Sequence, residues 1–211
     1  MSKENTRDKI LFAASSVFCE KGYEKTTIRD ICTTADVNVA AVNYHFGDKQ
    51  NLFYKALGLW MEEFVEKAAL RQRMASKDTP QAKFREYIHA ELGALCIYNE
   101  TGTTSLKKAR LILQELTAEN HNPEVFECHK ELEKDFIYPL ITDLVSPCED
   151  PEIIHNACIA ATSITTHYFL MAMDNPKFAI QNAEDLDSTT DFLTTFALGG
   201  LKAIKEKQHD V

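Results

Sequence analysis

Apolar residues recur at spacings of three and four along most of the chain, the pattern of helices with one buried face. Ile10, Leu11, Ala14, Val17 and Phe18 predict a first helix over 6–21, with Thr6 placed to cap its start and Gly22 to stop it. Thr27-Ile-Arg-Asp is close to a capping box and opens a second helix, Ile28 to Thr34, with Ile28, Ile31 and Cys32 facing inward. Ala35-Asp36-Val37-Asn38 reads as a tight turn whose last residue caps a short third helix, Val39 to His45. In that helix Ala41 and Val42 face inward, which leaves Val39, Ala40, Asn43 and Tyr44 outside.

Longer patterns follow. Leu52, Phe53, Ala56, Leu57, Trp60, Phe64 and Leu70 mark a helix over 49–74. Further helices are predicted over 80–99, 106–119, 123–145 (bent at Pro139), 152–173 and 186–207, with loops at 99–104, 147–151 and around Asn175-Pro176. Only 7 Gly and 6 Pro interrupt 211 residues, and no segment alternates as a strand would. The expected fold is all-α, about nine helices, with a head at 1–50 and a helical effector-binding and dimerisation body at 51–211.

Composition narrows the class. With 45% hydrophobic and 26% charged residues, the chain has enough apolar side chains for a buried core. The first seven residues lack the apolar run of a secretion signal, and no segment reaches the ~20 apolar residues of a membrane span, so a cytoplasmic location and no membrane partner are expected. The six cysteines are dispersed and never form C-x-x-C; they read as buried small hydrophobes, with redox sensing as the alternative. No phosphate loop, nucleophile elbow or HExxH is present, so no catalytic residue, cofactor or metal is assigned. The net charge of −9 argues against a nucleic-acid partner until it is divided: residues 1–60 carry +1 and the remainder −10. The excess acid lies after residue 60.

Three short helices with a four-residue turn between the second and third form a helix-turn-helix, motif 27–46. A short helix with a small, polar outer face fits the major groove, about 12 Å wide. The run Thr27-Ile-Arg-Asp-Ile-Cys, then Ala35-Asp-Val-Asn-Val-Ala-Ala-Val-Asn-Tyr-His-Phe-Gly-Asp-Lys-Gln-Asn-Leu-Phe, resembles the signature of TetR-family repressors. The resemblance is close over 6–55 and continues beyond only as helix layout. Many members carry an aromatic at the position of Asn43. The Asn-Tyr-His-Phe-Gly form is similar to a subgroup that includes the cerium- and drug-responsive CecR-like regulators. Leu113-Gln-Glu-Leu-Thr, Asn122-Pro123 and Phe136-Ile-Tyr-Pro139 resemble that subgroup more loosely.

The resemblance implies a homodimer that binds a double-stranded DNA operator and a small-molecule effector. Asn43 is suited to a bidentate pair with adenine, and Val39 and Ala40 to a thymine methyl. Tyr44 and His45 resemble the family's phosphate-contacting pair. Lys49 is expected at phosphate, as are Thr27, at a helix N-terminus, and Arg29. Asn38 completes the DNA-facing set as the cap. The competing readings are a phosphate or water partner for Asn43, a packed ring beside Phe46 for His45, and an ion pair with Asp30 or Glu24 for Arg29.

Trp60, Phe64, Tyr87, Phe126, His129 and His167 are candidates to line an effector pocket, the alternative being ordinary core. His129 and Glu133 share a helical face, but no third ligand accompanies them. Ala157, Ala160, Ala161, Thr162, Ser163 and Thr166, with Ala197, Gly199, Gly200 and Ala203, make the last two long helices rich in small residues. The resemblance implies that these helices pair with their copies; packing within one subunit is the alternative. The reading is a ligand-responsive repressor. An interaction module without DNA binding and a helical enzyme are the other classes.

Overall fold

A computed structural model describes residues 3–64, 67–96, 103–119 and 122–207, all helical or connecting. The helices are α1 (Lys3–Lys25), α2 (Ile28–Ala35), α3 (Val39–Phe46), α4 (Lys49–Phe64), α5 (Lys67–Ala75), α6 (Pro80–Cys96), α7 (Thr103–Leu116), α8 (Pro123–Leu132), α9 (Tyr138–Val145), α10 (Pro151–Asp174) and α11 (Ala183–Lys207). The pattern predicted over 49–74 is thus divided between α4 and α5, and the loop expected at 99–104 falls mostly outside the described residues.

Packing groups the chain into two units: residues 1–63 with 107–128, and residues 64–106 with 129–211. The expected head, 1–50, lies wholly within the first.

In the first unit α1 buries Ile10, Ala14, Val17 and Phe18, α2 buries Ile31, Cys32 and Ala35, and α3 buries Val42 and Phe46. Leu52, Phe53, Ala56, Leu57 and Trp60 of α4, Ala109 and Ile112 of α7, and Val125 of α8 complete this core. Trp60 is fully buried, and its indole N–H donates to the Ser15 hydroxyl at 2.6 Å, so the one polar atom of the ring is satisfied. Gly22 breaks α1 as expected, with φ 75° and ψ 170°, but the helical turn resumes to Lys25 beyond it.

The second unit is built around α6, which packs on α5, α9, α10 and α11. Phe84, Ile88 and Leu92 of α6 are buried, as are Leu140, Ile141 and Val145 of α9, Ala157 and Ala161 of α10, and Leu201 of α11. Pro139 explains the interruption between α8 and α9. It has no N–H to donate, and its ring crowds the carbonyl four residues back. Glu133–Ile137 accordingly widens into a π-helical turn, in which the Tyr138 amide donates to the Glu133 carbonyl five residues earlier. Asp150 caps α10 by accepting from the Glu152 amide at 2.9 Å, and Pro151 takes the first helical position.

Cys19, Cys32, Cys148 and Cys158 are buried thiols. Burial raises the pKa of Cys19, Cys32 and Cys158, the last to about 11 with the charge of Glu133 adding to the effect. A thiol held in its neutral form is a poor nucleophile, which favours the packing role over redox sensing.

Candidate nucleic-acid interface

The α2–α3 unit is assembled from polar bonds between near neighbours. The Thr27 hydroxyl accepts from the Asp30 amide at 3.2 Å, and the Asp30 carboxylate accepts from the Thr27 amide at 2.9 Å, the reciprocal capping box. The Thr27 hydroxyl also donates to Asp30 at 2.7 Å. Lys21 of α1 closes on the same carboxylate at 2.8 Å. The Lys21 ammonium, then the Thr27 hydroxyl and amide, hold the Asp30 carboxyl far below its ordinary pKa.

Asp36 adopts the left-handed conformation, φ 52°, that stops α2, and its amide donates to the Cys32 carbonyl. Asn38 Oδ1 accepts from the Ala41 amide at 2.9 Å and starts α3. Gly47, φ 79°, ends α3 with its amide on the Asn43 carbonyl, and Asp48 accepts from the Asn51 amide at 2.7 Å to start α4. The third helix therefore has defined ends although it is only eight residues long.

Its outer face is as expected from the pattern. Val39 and Tyr44 are 44% and 68% exposed, and Ala40 and Asn43 are exposed between them, whereas Val42 and Phe46 are buried and Ala41 is half-buried. His45 is half-buried with its ring between Tyr44, 5.1 Å away edge-on, and Phe46, 6.4 Å away. Arg29 is exposed and makes no ion pair with Asp30 or Glu24. Val37 is half-buried beside it, less enclosed than a core residue.

Residues 10–56 match the N-terminal model described as bacterial regulatory proteins, tetR family. The N-terminal domain is that of the tetR family. Among curated relatives, the region is 44% identical over 50 residues to the probable HTH-type transcriptional regulator YttP of Bacillus subtilis, covering 24% of each chain. It is 32% identical over 60 residues to IcaR of Staphylococcus epidermidis, the negative transcriptional regulator of a biofilm operon, covering 28% of this chain and 32% of that one. The chain thus matches about a quarter to a third of these relatives' length. The fold extends much further. AibR, solved in complex with isovaleryl coenzyme A and operator DNA, superposes with a TM-score of 0.63 at 17% identity over 90% of this chain and 98% of that one.

Two basic side chains in this tetR-family head depart from the sequence reading. Lys49 was expected at phosphate. Its ammonium instead donates to the Tyr23 carbonyl at 3.0 Å and the Thr26 carbonyl at 3.1 Å, and lies 4.2 Å from the centre of the Tyr23 ring. The end of α1 at Lys25 leaves the carbonyls of the last turn and of the connection to α2 without following helical amides, and the Thr26 hydroxyl donates to the Gly22 carbonyl at 2.7 Å. Lys49 therefore ties the start of α4 to the approach of α2. Arg7, absent from the predicted set, places its guanidinium 5.3 Å from the Phe46 ring and so links the start of α1 to the end of α3. Only the intervening fold brings these two together, and no local pattern marks them. Lys21 likewise gave no signal beyond its charge.

Of the residues proposed for an effector pocket, Trp60 lies in the first unit and Tyr87 and His167 in the second. Trp60 belongs to the first unit's core. Tyr87, in the second unit, is buried with its hydroxyl donating to Glu91 at 2.5 Å. His167 is exposed on α10, on the surface of its unit and not in an interior cavity. The side chains of Phe64, Phe126 and His129 lie outside the described residues, and with His129 goes the suggested pair with Glu133.

Proposed function

We propose that the protein is a dimeric transcriptional regulator whose α3 reads operator DNA and whose helical body answers a small-molecule effector by releasing it. The observation that carries this reading is the outer face of α3. Val39, Ala40, Asn43 and Tyr44 stand exposed on a short helix capped at both ends, a surface of the right size and polarity for a major groove. Thr27, Arg29, Asn38 and His45 flank it as backbone contacts. IcaR, similar in this region, is named a negative regulator, and AibR, similar in fold, was solved with both an acyl-coenzyme A and operator DNA. A repressor released by its effector accords with both. The reading places the protein in the cytoplasm, and among the described residues no helix is long and apolar enough to cross a membrane.

The dimer is proposed through α10 and α11. Phe192 and Phe196 are 71% and 69% exposed on α11, and Gly199, Gly200 and Ala203 continue the same exposed stripe. On α10, Ile159, Ala160, Ser163 and Leu170 are exposed. A Cβ added at Gly199 or Gly200 would meet nothing within 4 Å. Two glycines inside a helix cost about 1 kcal/mol each relative to alanine, and packing within the chain gives no reason for them. Close approach of a second copy supplies one.

The test is a gel-shift titration of the dimeric protein on DNA upstream of its own gene, with unrelated DNA as competitor. Binding that survives the competitor supports the reading. Absence of specific binding even at low salt overturns it.

A further inference from the structure

Two ties join α6 to its neighbours in the second unit, and they differ in kind. One is at the surface: Arg85 donates to Asp191 at 2.6 Å and to Asp187 at 3.1 Å, both on α11. The other is further in. Glu91 is half-buried, and the hydrogen bonds that hold its carboxyl are part-buried. Tyr87, one turn earlier on α6, donates to Oε1 at 2.5 Å, and Thr165 Oγ1 of α10 stands 2.7 Å from Oε2. No cation reaches this carboxyl among the described residues. We propose that Glu91 is carried as the neutral acid and acts as a proton-operated latch between α6 and α10.

The hydrogen atoms can be counted. Thr165 Oγ1 lies 2.7 Å from Glu91 Oε2 and 2.8 Å from the Thr162 carbonyl, and its hydroxyl has one proton to donate. With Glu91 ionised, two acceptors compete for that proton. With Glu91 neutral every contact has its own hydrogen: Tyr87 donates to Oε1, Glu91 Oε2–H donates to Thr165, and Thr165 donates to the Thr162 carbonyl. A carboxylate drawn partly out of water without a cation is costly, and neutralisation is the ordinary escape. Burial accordingly pushes the Glu91 carboxyl up, against the opposing hydrogen bonds from Tyr87 and Thr165. Burial, then the charge and hydrogen bond of Glu91, pushes the Tyr87 phenol well above its ordinary value, with Glu133 adding to it, so Tyr87 remains the donor.

The other charged groups on the packed elements do not neutralise the latch. On α11, Asp187 and Asp191 hold Arg85, and His89 lies 3.6 Å from Asp187. On α5, Lys67 and Arg71 pair with Glu131 and Asp135. On α9, Tyr138 and Asp143 are exposed; on α10, His155 and His167 are exposed and the buried Cys158 is held neutral. Glu133 adds negative charge near Tyr87, which helps to keep the phenol protonated.

The sign of the pH effect follows. A carboxyl whose folded value is raised stabilises fully below its ordinary value of 4.5, and that advantage is lost as pH rises through the folded value. Above that point the carboxylate draws water in and α6 is freed from α10.

The test is chemical unfolding of the full chain and of E91Q from about pH 5 to about pH 9. Glutamine keeps an acceptor for Tyr87 and a donor for Thr165 but does not titrate. The ratio of folding constants, E91Q over wild type, is expected to rise by up to about tenfold per pH unit and then level off. A ratio flat across the range overturns the proposal. Should E91Q fail to fold, the infrared spectrum of the wild type decides. A protonated-carboxyl band persisting above the ordinary glutamate range and vanishing at higher pH supports the latch, and fully ionised carboxyls at about pH 6 overturn it.

Discussion

The α2–α3 pair of the first unit and the α10–α11 pair of the second both leave apolar side chains in solvent, but on different supports. Val39 and Tyr44 project from an eight-residue helix whose ends are fixed by Asn38 and Gly47. Phe192 and Phe196 project from a 25-residue helix that carries two glycines unused by its own chain. The bonds that shape the first pair join residues 3 and 9 apart in sequence, with Lys49 reaching back 26. Those that tie α6 to its neighbours in the second unit join residues 74 and 106 apart. Under the proposed function, the short helix on local caps is the reader, and the long helix with exposed phenylalanines is half of an interface whose other half is a second copy.

The largest effect expected from breaking this comparison is on the second pair. Burying a phenylalanine contributes at least about 1.5 kcal/mol, and a symmetric interface would bury four of these rings. F192S/F196S should therefore weaken self-association on the order of 10⁴-fold while leaving helicity unchanged, because both rings are in solvent in the single chain. Sedimentation equilibrium with circular dichroism checks this, and a double variant that stays dimeric would move the interface off this stripe. Next comes Lys49. K49M should lower the stability of the chain by about 1.5–3 kcal/mol, since an ammonium bonded to two carbonyls is lost. It should leave the salt dependence of DNA binding unaltered. A phosphate contact would instead flatten the slope of log K against log salt by about 0.9.

How much of this was legible in the sequence depended on the span of the interaction. The capping box at Thr27–Asp30, the cap at Asn38, the stop at Gly47 and the split between buried Val42 and exposed Asn43 could all be read from residues within four positions of one another. So could the disturbance at Pro139, though not that it would take the form of a π turn. The sequence neighbourhood of Lys49 matches a phosphate-contacting position, whereas its bonds go to the Tyr23 and Thr26 carbonyls, 26 and 23 residues earlier. Arg7 on Phe46, and Glu91 between Tyr87 and Thr165, had no local signal at all. Glu91 reads as an ordinary polar position until the fold brings Thr165 to it. For the aromatics proposed for a pocket, helical periodicity says which face is buried, not what it is buried against.

Within the first pair, Asn43 is the residue through which the reading face is tested. Its side chain is exposed, and its backbone carbonyl accepts from the Gly47 amide. Loss of a bidentate adenine contact costs about 1–3 kcal/mol, so N43A should lose that much on the specific site and far less on unrelated DNA. Equal losses on both would demote Asn43 to a backbone contact. The comparison sharpens here, because the same change should leave self-association untouched.

The smallest effect concerns the capping box itself. T27A removes an N-cap and should cost about 1 kcal/mol in urea unfolding. Asp30 supplies the pH signature that separates this cap from a phosphate contact. Its folded pKa is depressed by Lys21 and Thr27, so its contribution is present above the ordinary value of 3.8 and is lost as pH falls through the much lower folded value. The difference in unfolding midpoint between wild type and D30N should therefore be constant near neutral pH and shrink below about pH 4. A gap that stays open in acid would mean that the amide itself strains the turn, and that Thr27 alone starts α2. A gap that closes would show the box operating in the free protein, with the Thr27 hydroxyl already engaged before any DNA arrives. In that case Thr27 meets phosphate through the amides of the first turn of α2, and T27A should weaken DNA binding only as far as it weakens the helix.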